Sequence, residues 1–336
     1  NPNLRELINN VNLKIQNSQS LIRFYIHDEQ VSSHKKNAGL FLIYPIMGGV
    51  DELKTLSQKL DKTILVQQNL SLYIWRSPLL NTNAPFIEDA EKYDMAKQAE
   101  LAITGIQAVQ PHGPYYLCGW SFGGVLTLEI ARQLQAQGEK VKYLGLIDPQ
   151  TPEQLQALSA DELVRRLLMH INFISGLLLK LNPNEKLLQE NEIIKDADGL
   201  ILIKNAFGLA FENLQKYHSY KKFNKLQSIL YALYANYLAI YRYSLRTVFS
   251  DENKLPTISV YVASNKPDIL EKMEYSIHDL AGVSDTKLAE PVVANTNHFD
   301  IATTSQFANL LSKHIKQIQG IRLSIKFWRA LEKHYQ

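Results

Sequence analysis

Gly119-Trp120-Ser121-Phe122-Gly123, set between the apolar run Tyr115-Tyr116-Leu117-Cys118 and a helical pattern that opens at Phe122, decides how the chain reads. The pentapeptide matches G-x-S-x-G, a strained strand-to-helix turn that pushes a serine hydroxyl out at the carboxyl end of a sheet. Glycines on both sides let the backbone fold that tightly, with a helix N-terminus beneath the hydroxyl. Serine is also a favoured helix cap. Capping explains neither glycine, so Ser121 reads as a nucleophile. Cys118, three residues earlier and inside the strand, reads as a small buried core residue rather than a rival nucleophile.

Working outward, strand and helix signals alternate. Upstream, Leu40-Phe41-Leu42-Ile43-Tyr44 stops at Pro45, and Gly48-Gly49 opens a helical pattern through Leu53, Leu56 and Leu60. A second strand is expected from Thr63 to Val66, then a long helix from about Ile87 to Val109, stopped by Gln110-Pro111. Downstream, a helix from Phe122 to Gln137 ends at Gly138 and a strand runs from Val141 to Ile147. The pattern is then helical over 151–250, through Leu163, Leu167 and His170 and a run with Tyr231, Tyr234, Tyr237 and Tyr241. Alternation resumes with strand Thr257 to Ala263, a helix near Ile269 to Leu280, strand Val292 to Ala294 and helix Ser305 to Ile318. Such alternation predicts an α/β fold, a mostly parallel sheet with helices on both faces, and makes 151–250 a helical insertion.

The ends read differently. Residues 1–37 close on Ser32-Ser33-His34-Lys35-Lys36-Asn37 and are expected to be a linker or leading strand. Residues 319–336 set Ile321, Ile325, Trp328 and Leu331 among Arg322, Lys326, Arg329 and Lys333, a basic amphipathic helix. It is expected to pack on its own domain, with a dimer or a neighbouring domain as the alternative. The opening Asn1-Pro2-Asn3-Leu4 lacks an initiator Met and a signal-peptide pattern, which reads as a piece of a longer polypeptide.

Composition narrows the class. The 336 residues are 46% hydrophobic and 21% charged, ordinary for a globular protein and enough for a large core. The net charge of +3 argues no nucleic-acid face, and no apolar run is long enough to span a bilayer. One cysteine excludes an internal disulfide framework and a cysteine-rich metal site, which fits a cytoplasmic setting.

Two stretches carry a family resemblance. Gln110-Pro111-His112-Gly113-Pro114-Tyr115-Tyr116-Leu117-Cys118-Gly119-Trp120-Ser121-Phe122-Gly123-Gly124, with Leu40-Phe41-Leu42-Ile43-Tyr44-Pro45-Ile46-Met47-Gly48-Gly49, resembles the thioesterase domains that end polyketide, nonribosomal peptide and animal fatty acid synthases. The likeness runs over about residues 38–318. It implies an α/β-hydrolase in which 151–250 is a lid over an acyl channel, with Phe173 and Tyr237 as first candidates to face that channel. The family's pattern has His before the proline of the first loop, where this chain has Tyr44.

A serine hydroxyl needs a positioned imidazole to take its proton. Of nine histidines, His298 follows the final strand and matches the family's base position. His170 and His218 fall in the insertion, where they could touch substrate. Two aspartates compete to orient the imidazole: Asp148, directly after strand Val141 to Ile147, and Asp268, beyond strand Thr257 to Ala263. The resemblance favours Asp148. It also implies an oxyanion hole made by the backbone N–H groups of Phe122 and Ile46, with Met47 as the fallback.

The expected function is therefore release of an acyl chain from the phosphopantetheine of an acyl or peptidyl carrier protein, through an acyl-Ser121 intermediate, by hydrolysis or cyclisation. No metal or bound cofactor is implied. The alternatives are a free carboxylester hydrolase or acyltransferase of the same fold, and a catalytically silent binding module.

Overall fold

The computed structural model describes residues 20–25, 38–67, 69–81, 87–182, 184–244, 257–263, 292–294 and 296–316. The N-terminal 1–19, the expected helix near Ile269 to Leu280, Asp268 and the amphipathic 319–336 lie outside these residues.

Among the described residues seven strands form one sheet: β1 (Leu21–Tyr25), β2 (Ala38–Ile43), β3 (Leu70–Trp75), β4 (Tyr115–Trp120), β5 (Val141–Ile147), β6 (Thr257–Ala263) and β7 (Val292–Ala294). Their order is β1-β3-β2-β4-β5-β6-β7. Only β1 runs antiparallel, on the β3 edge. The other neighbours pair in parallel. Central parallel strands are covered on both faces and so read as unbroken apolar runs rather than alternating ones. Leu40, Phe41, Leu42 and Ile43 are accordingly all fully buried.

Helices α1 (Asp51–Lys59) and α2 (Lys62–Gln67) join β2 to β3, α3 (Met95–Val109) leads to β4, and α4 (Phe122–Ala136) joins β4 to β5. Between β5 and β6 come α5 (Pro152–Gln156), α6 (Ala160–Leu179), α7 (Gly199–Leu214) and α8 (Phe223–Arg242). The last helix among the described residues, α9, covers residues 305–316. On one face Gln133 of α4 donates to the Ala96 carbonyl of α3 at 2.9 Å. On the other, the Asp61 N–H before α2 donates to Ser312 Oγ of α9 at 3.2 Å, and Lys59 reaches the Thr303 carbonyl.

After β2 the chain moves to the β3 side, whereas after β4 it moves to the β5 side. The loops leaving neighbouring β2 and β4 thus diverge and open a crevice at the carboxyl ends of the strands, where ligands bind in open α/β sheets. Ser121 and the Pro45–Gly48 loop flank it.

Two expectations are corrected. Thr63 to Val66 is helical, within α2, and the second core strand is β3 instead. The β-branched run had suggested a strand, but Asp61 starts a helix there: its side chain accepts from Thr63 N–H at 2.9 Å and its carbonyl from Ile64 N–H at 3.1 Å. Burial is one-sided, with Leu65 inside and Val66 41% exposed. The long helix expected from Ile87 is interrupted as well. A 3-10 turn over Ile87–Lys92 precedes Asp94, whose side chain caps α3 by accepting from Lys97 N–H at 2.8 Å.

Candidate active site

Ser121 sits at φ 56°, ψ −122°, between the last residue of β4 and the first of α4. Both glycines of the motif are sterically required. A Cβ on Gly119 would lie 2.0 Å from the Gly123 carbonyl oxygen, and one on Gly123 would lie 2.4 Å from the Tyr44 carbonyl oxygen. The turn is pinned by Ser121 N–H donating to the Ile147 carbonyl at 2.8 Å, which locks the elbow to neighbouring β5.

His298 follows β7, and its Nε2 lies 3.1 Å from Ser121 Oγ. Its Nδ1 lies 2.6 Å from Asp148 Oδ2. Asp148 leaves β5 at φ 39°, a left-handed conformation unusual for a residue with a side chain. Two bonds hold it there: its N–H donates to the Tyr261 carbonyl at 2.7 Å, and its Oδ1 accepts from Ala263 N–H at 3.0 Å, both on β6. Ser121, His298 and Asp148 are 3%, 8% and 1% exposed. The structure thus brings together three residues that the sequence separates by up to 177 positions. In this geometry the imidazole can take the serine proton while the carboxylate holds the proton on Nδ1.

Trp120, whose role the sequence reading missed, buttresses this arrangement. Its indole N–H donates to the His298 carbonyl at 3.2 Å, and the two rings lie 5.9 Å apart. Its place inside the serine motif was the available signal.

Of the expected oxyanion donors, Phe122 opens α4, where first-turn N–H groups have no partner within the helix. The other loop is a tight turn closed by Gly48 N–H donating to the Pro45 carbonyl at 2.8 Å, which leaves Ile46 and Met47 at its centre. Gly48 has φ +75°, and a Cβ there would lie 2.8 Å from Ser77 Cβ. Tyr44, in place of the family's histidine, is buried, donates to Gln98 Oε1 at 2.6 Å and stacks on Phe122 at 6.0 Å. It therefore ties the loop to the elbow by packing.

The remaining candidates fall elsewhere. His170 on α6 is buried against Tyr237 of α8, Nδ1 to hydroxyl 2.7 Å, and burial, then the charges of Arg166 and His298, hold its pKa down to about 3. His218 is exposed and lies 3.0 Å from the Gln215 carbonyl. Phe173 is 61% exposed on α6, whereas Tyr237 is fully buried on α8. Burial raises the Cys118 thiol pKa and keeps it neutral. Among the described residues no group of three or more His, Cys, Asp or Glu could hold a metal ion, and no helix is long and apolar enough to cross a membrane.

A mostly parallel sheet of this order, with a serine on the strained turn after a central strand, defines an α/β-hydrolase fold. The chain belongs to the thioesterase domain family, whose model matches residues 38–318. It is 36% identical over 121 residues to N-(5-amino-5-carboxypentanoyl)-L-cysteinyl-D-valine synthase of Penicillium rubens, covering 36% of this chain and 3% of that protein. It is 38% identical over 135 residues to enterobactin synthase component F of Escherichia coli, covering 40% of this chain and 10% of that protein. The matched stretch thus spans a tenth or less of these relatives. Among solved structures, a four-domain nonribosomal peptide synthetase bound to AMP and glycine superposes with a TM-score of 0.57 at 19% identity, over 89% of this chain and 20% of that one. The Vlm2 thioesterase domain bound with a dodecadepsipeptide gives 0.52 at 15% identity, over 88% and 98%. At these identities the likeness is one of fold.

Proposed function

We propose that this chain is a serine thioesterase that releases an acyl chain from the phosphopantetheine of a carrier protein by way of an acyl-Ser121 ester. The observation that carries this reading is the continuous hydrogen-bonded line from Asp148 through His298 to Ser121 Oγ on a strained elbow. Ser121 Oγ attacks the thioester carbonyl carbon while its proton passes to His298 Nε2. The oxyanion that forms is met by the N–H groups of Phe122 and Ile46, or Met47 in its stead. The C–S bond then breaks and the proton on Nε2 goes to the departing thiolate. Water or a nucleophile on the acyl chain next attacks the ester, giving its proton to His298. The C–O bond breaks and the proton returns to Ser121.

Near-complete burial of the three residues supports a lid role for α5–α8, which would exclude bulk water until the acyl group is in place. The intact hydrogen-bonded line weighs against a catalytically silent module. The reading is tested by intact-protein mass spectrometry after exposure to a panel of acyl thioesters. An adduct of acyl mass is expected on the wild type and none on Ser121→Ala, which removes one oxygen and should leave the fold unchanged. An adduct that persists in Ser121→Ala would assign the chemistry to another nucleophile.

A further inference from the structure

A buried hydrogen bond joins the helical insertion to the catalytic loop. Asn236 lies in the middle of α8, fully buried, and its Nδ2 donates to the Ile46 carbonyl at 2.6 Å. One turn earlier on the same helix, Ala232 packs against the same loop, with its Cβ 3.5 Å from where a Cβ on Gly48 would stand. The other end of the Asn236 amide is unusual. Oδ1 is buried and has no hydrogen-bond partner among the described residues.

An unmade bond of this kind is expensive in a protein interior, and buried polar atoms are nearly always paired. Replacing Asn236 with an apolar residue would exchange one orphaned oxygen, Oδ1, for another, the Ile46 carbonyl, so stability alone gives little reason for an asparagine. What the asparagine does provide is orientation. The Ile46 carbonyl belongs to the rigid peptide plane that carries the Met47 N–H, which points opposite to it. The same turn carries the Ile46 N–H. Fixing that carbonyl fixes the direction of the Met47 N–H, and it restrains the Ile46 N–H through the backbone of Ile46, whose preceding peptide plane is held by the Pro45 carbonyl accepting from Gly48 N–H at 2.8 Å.

We infer that Asn236 is a positioning residue for the oxyanion hole, so that the seating of α8 sets the geometry of the second donor and makes the insertion part of the catalytic apparatus. This rests on the thioesterase reading for the identity of the oxyanion loop. Closure of the insertion and final alignment of the hole then become one event, because the bond to the Ile46 carbonyl is made only when α8 is seated.

The test uses two variants that both lose the donor but differ in packing. Asn236→Leu keeps the branched shape but has bulkier ends, whereas Asn236→Ala opens a void. The readouts are the limiting rate and half-saturation of Ser121 labelling by a fluorophosphonate, kcat and KM for an N-acetylcysteamine acyl thioester, and Tm. Both variants should lose about 10- to 100-fold in limiting labelling rate and in kcat, somewhat below the loss of an oxyanion donor itself, with KM changed less than about threefold. Both should melt below the wild type by unequal amounts, because one overpacks the site and the other empties it, while their rate losses stay alike. The inference is overturned if Asn236→Leu labels at the wild-type rate, if the losses follow Tm instead of the missing donor, or if only KM changes. A wild type that labels on Ser121 but turns over no acyl thioester would sink the thioesterase reading instead, and the labelling comparison would still decide the role of Asn236.

Discussion

Asp148→Asn is the substitution whose consequence the geometry specifies most closely. Two donors around the side chain decide the outcome: Oδ1 accepts from Ala263 N–H at 3.0 Å and Oδ2 faces His298 Nδ1 at 2.6 Å. An asparagine has one acceptor and one donor for these two places. With its oxygen on Ala263 N–H, its NH2 meets Nδ1 and forces that nitrogen to accept. The ring proton then moves to Nε2, which faces Ser121 Oγ at 3.1 Å and can no longer take the serine proton. The flipped amide instead sets NH2 against the Ala263 N–H, leaving two donors face to face. Neutralising a triad acid in this way costs about 10⁴ in kcat, or about 5.4 kcal/mol of transition-state stabilisation. The assay is kcat for an acyl thioester, with circular dichroism to check that the near-isosteric variant is folded. Asp268→Asn, in the segment after β6, should stay near the wild type. Retention of kcat within about tenfold in Asp148→Asn would refute the reasoning, and a reversed ranking of the two variants would move the acid to the segment after β6.

Trp120→Phe keeps a ring beside His298 but removes the donor to its carbonyl, so kcat should fall about tenfold with KM unchanged, as expected for one hydrogen bond. A change confined to KM would make the indole a substrate contact. His170 should make the protein acid-sensitive, because its folded pKa of about 3 lies below the unfolded value of about 6.5. The unfolded chain takes up the proton first as pH falls, so the stability His170 contributes is present above about pH 6.5 and is lost toward pH 3. Urea unfolding at pH 7 and pH 5 should show His170→Gln losing about 2 kcal/mol less than the wild type over that interval, and equal losses would mean that His170 titrates normally. Cys118 should resist a maleimide in the native protein and react after denaturation, since burial keeps it a neutral thiol. Fast native labelling with loss of activity would revive it as a nucleophile.

The serine elbow was legible from sequence because its determinants are local: two glycines, a serine and the strand and helix on either side. The alternating fold class was legible for a related reason, since central parallel strands leave unbroken apolar runs such as Leu40 to Ile43. Asp148 and His298 could be picked out only as residues that follow strand ends. Their meeting depends on the order of β4, β5, β6 and β7, because parallel neighbours deliver their carboxyl ends to one edge of the sheet. Where a short run was judged by residue type alone the reading erred, as at Thr63 to Val66, because a helix cap at Asp61 outweighed β-branching. The exposure of Phe173 was hidden for a different reason: the apolar character of α6 shows that one face is buried but not which residues lie on it. Asn236 stayed hidden although a lone asparagine between Tyr234 and Tyr237 is a visible oddity. Its meaning lies in a hydrogen bond to Ile46, 190 residues away, and only the docking of α8 on the loop after β2 brings those two atoms together.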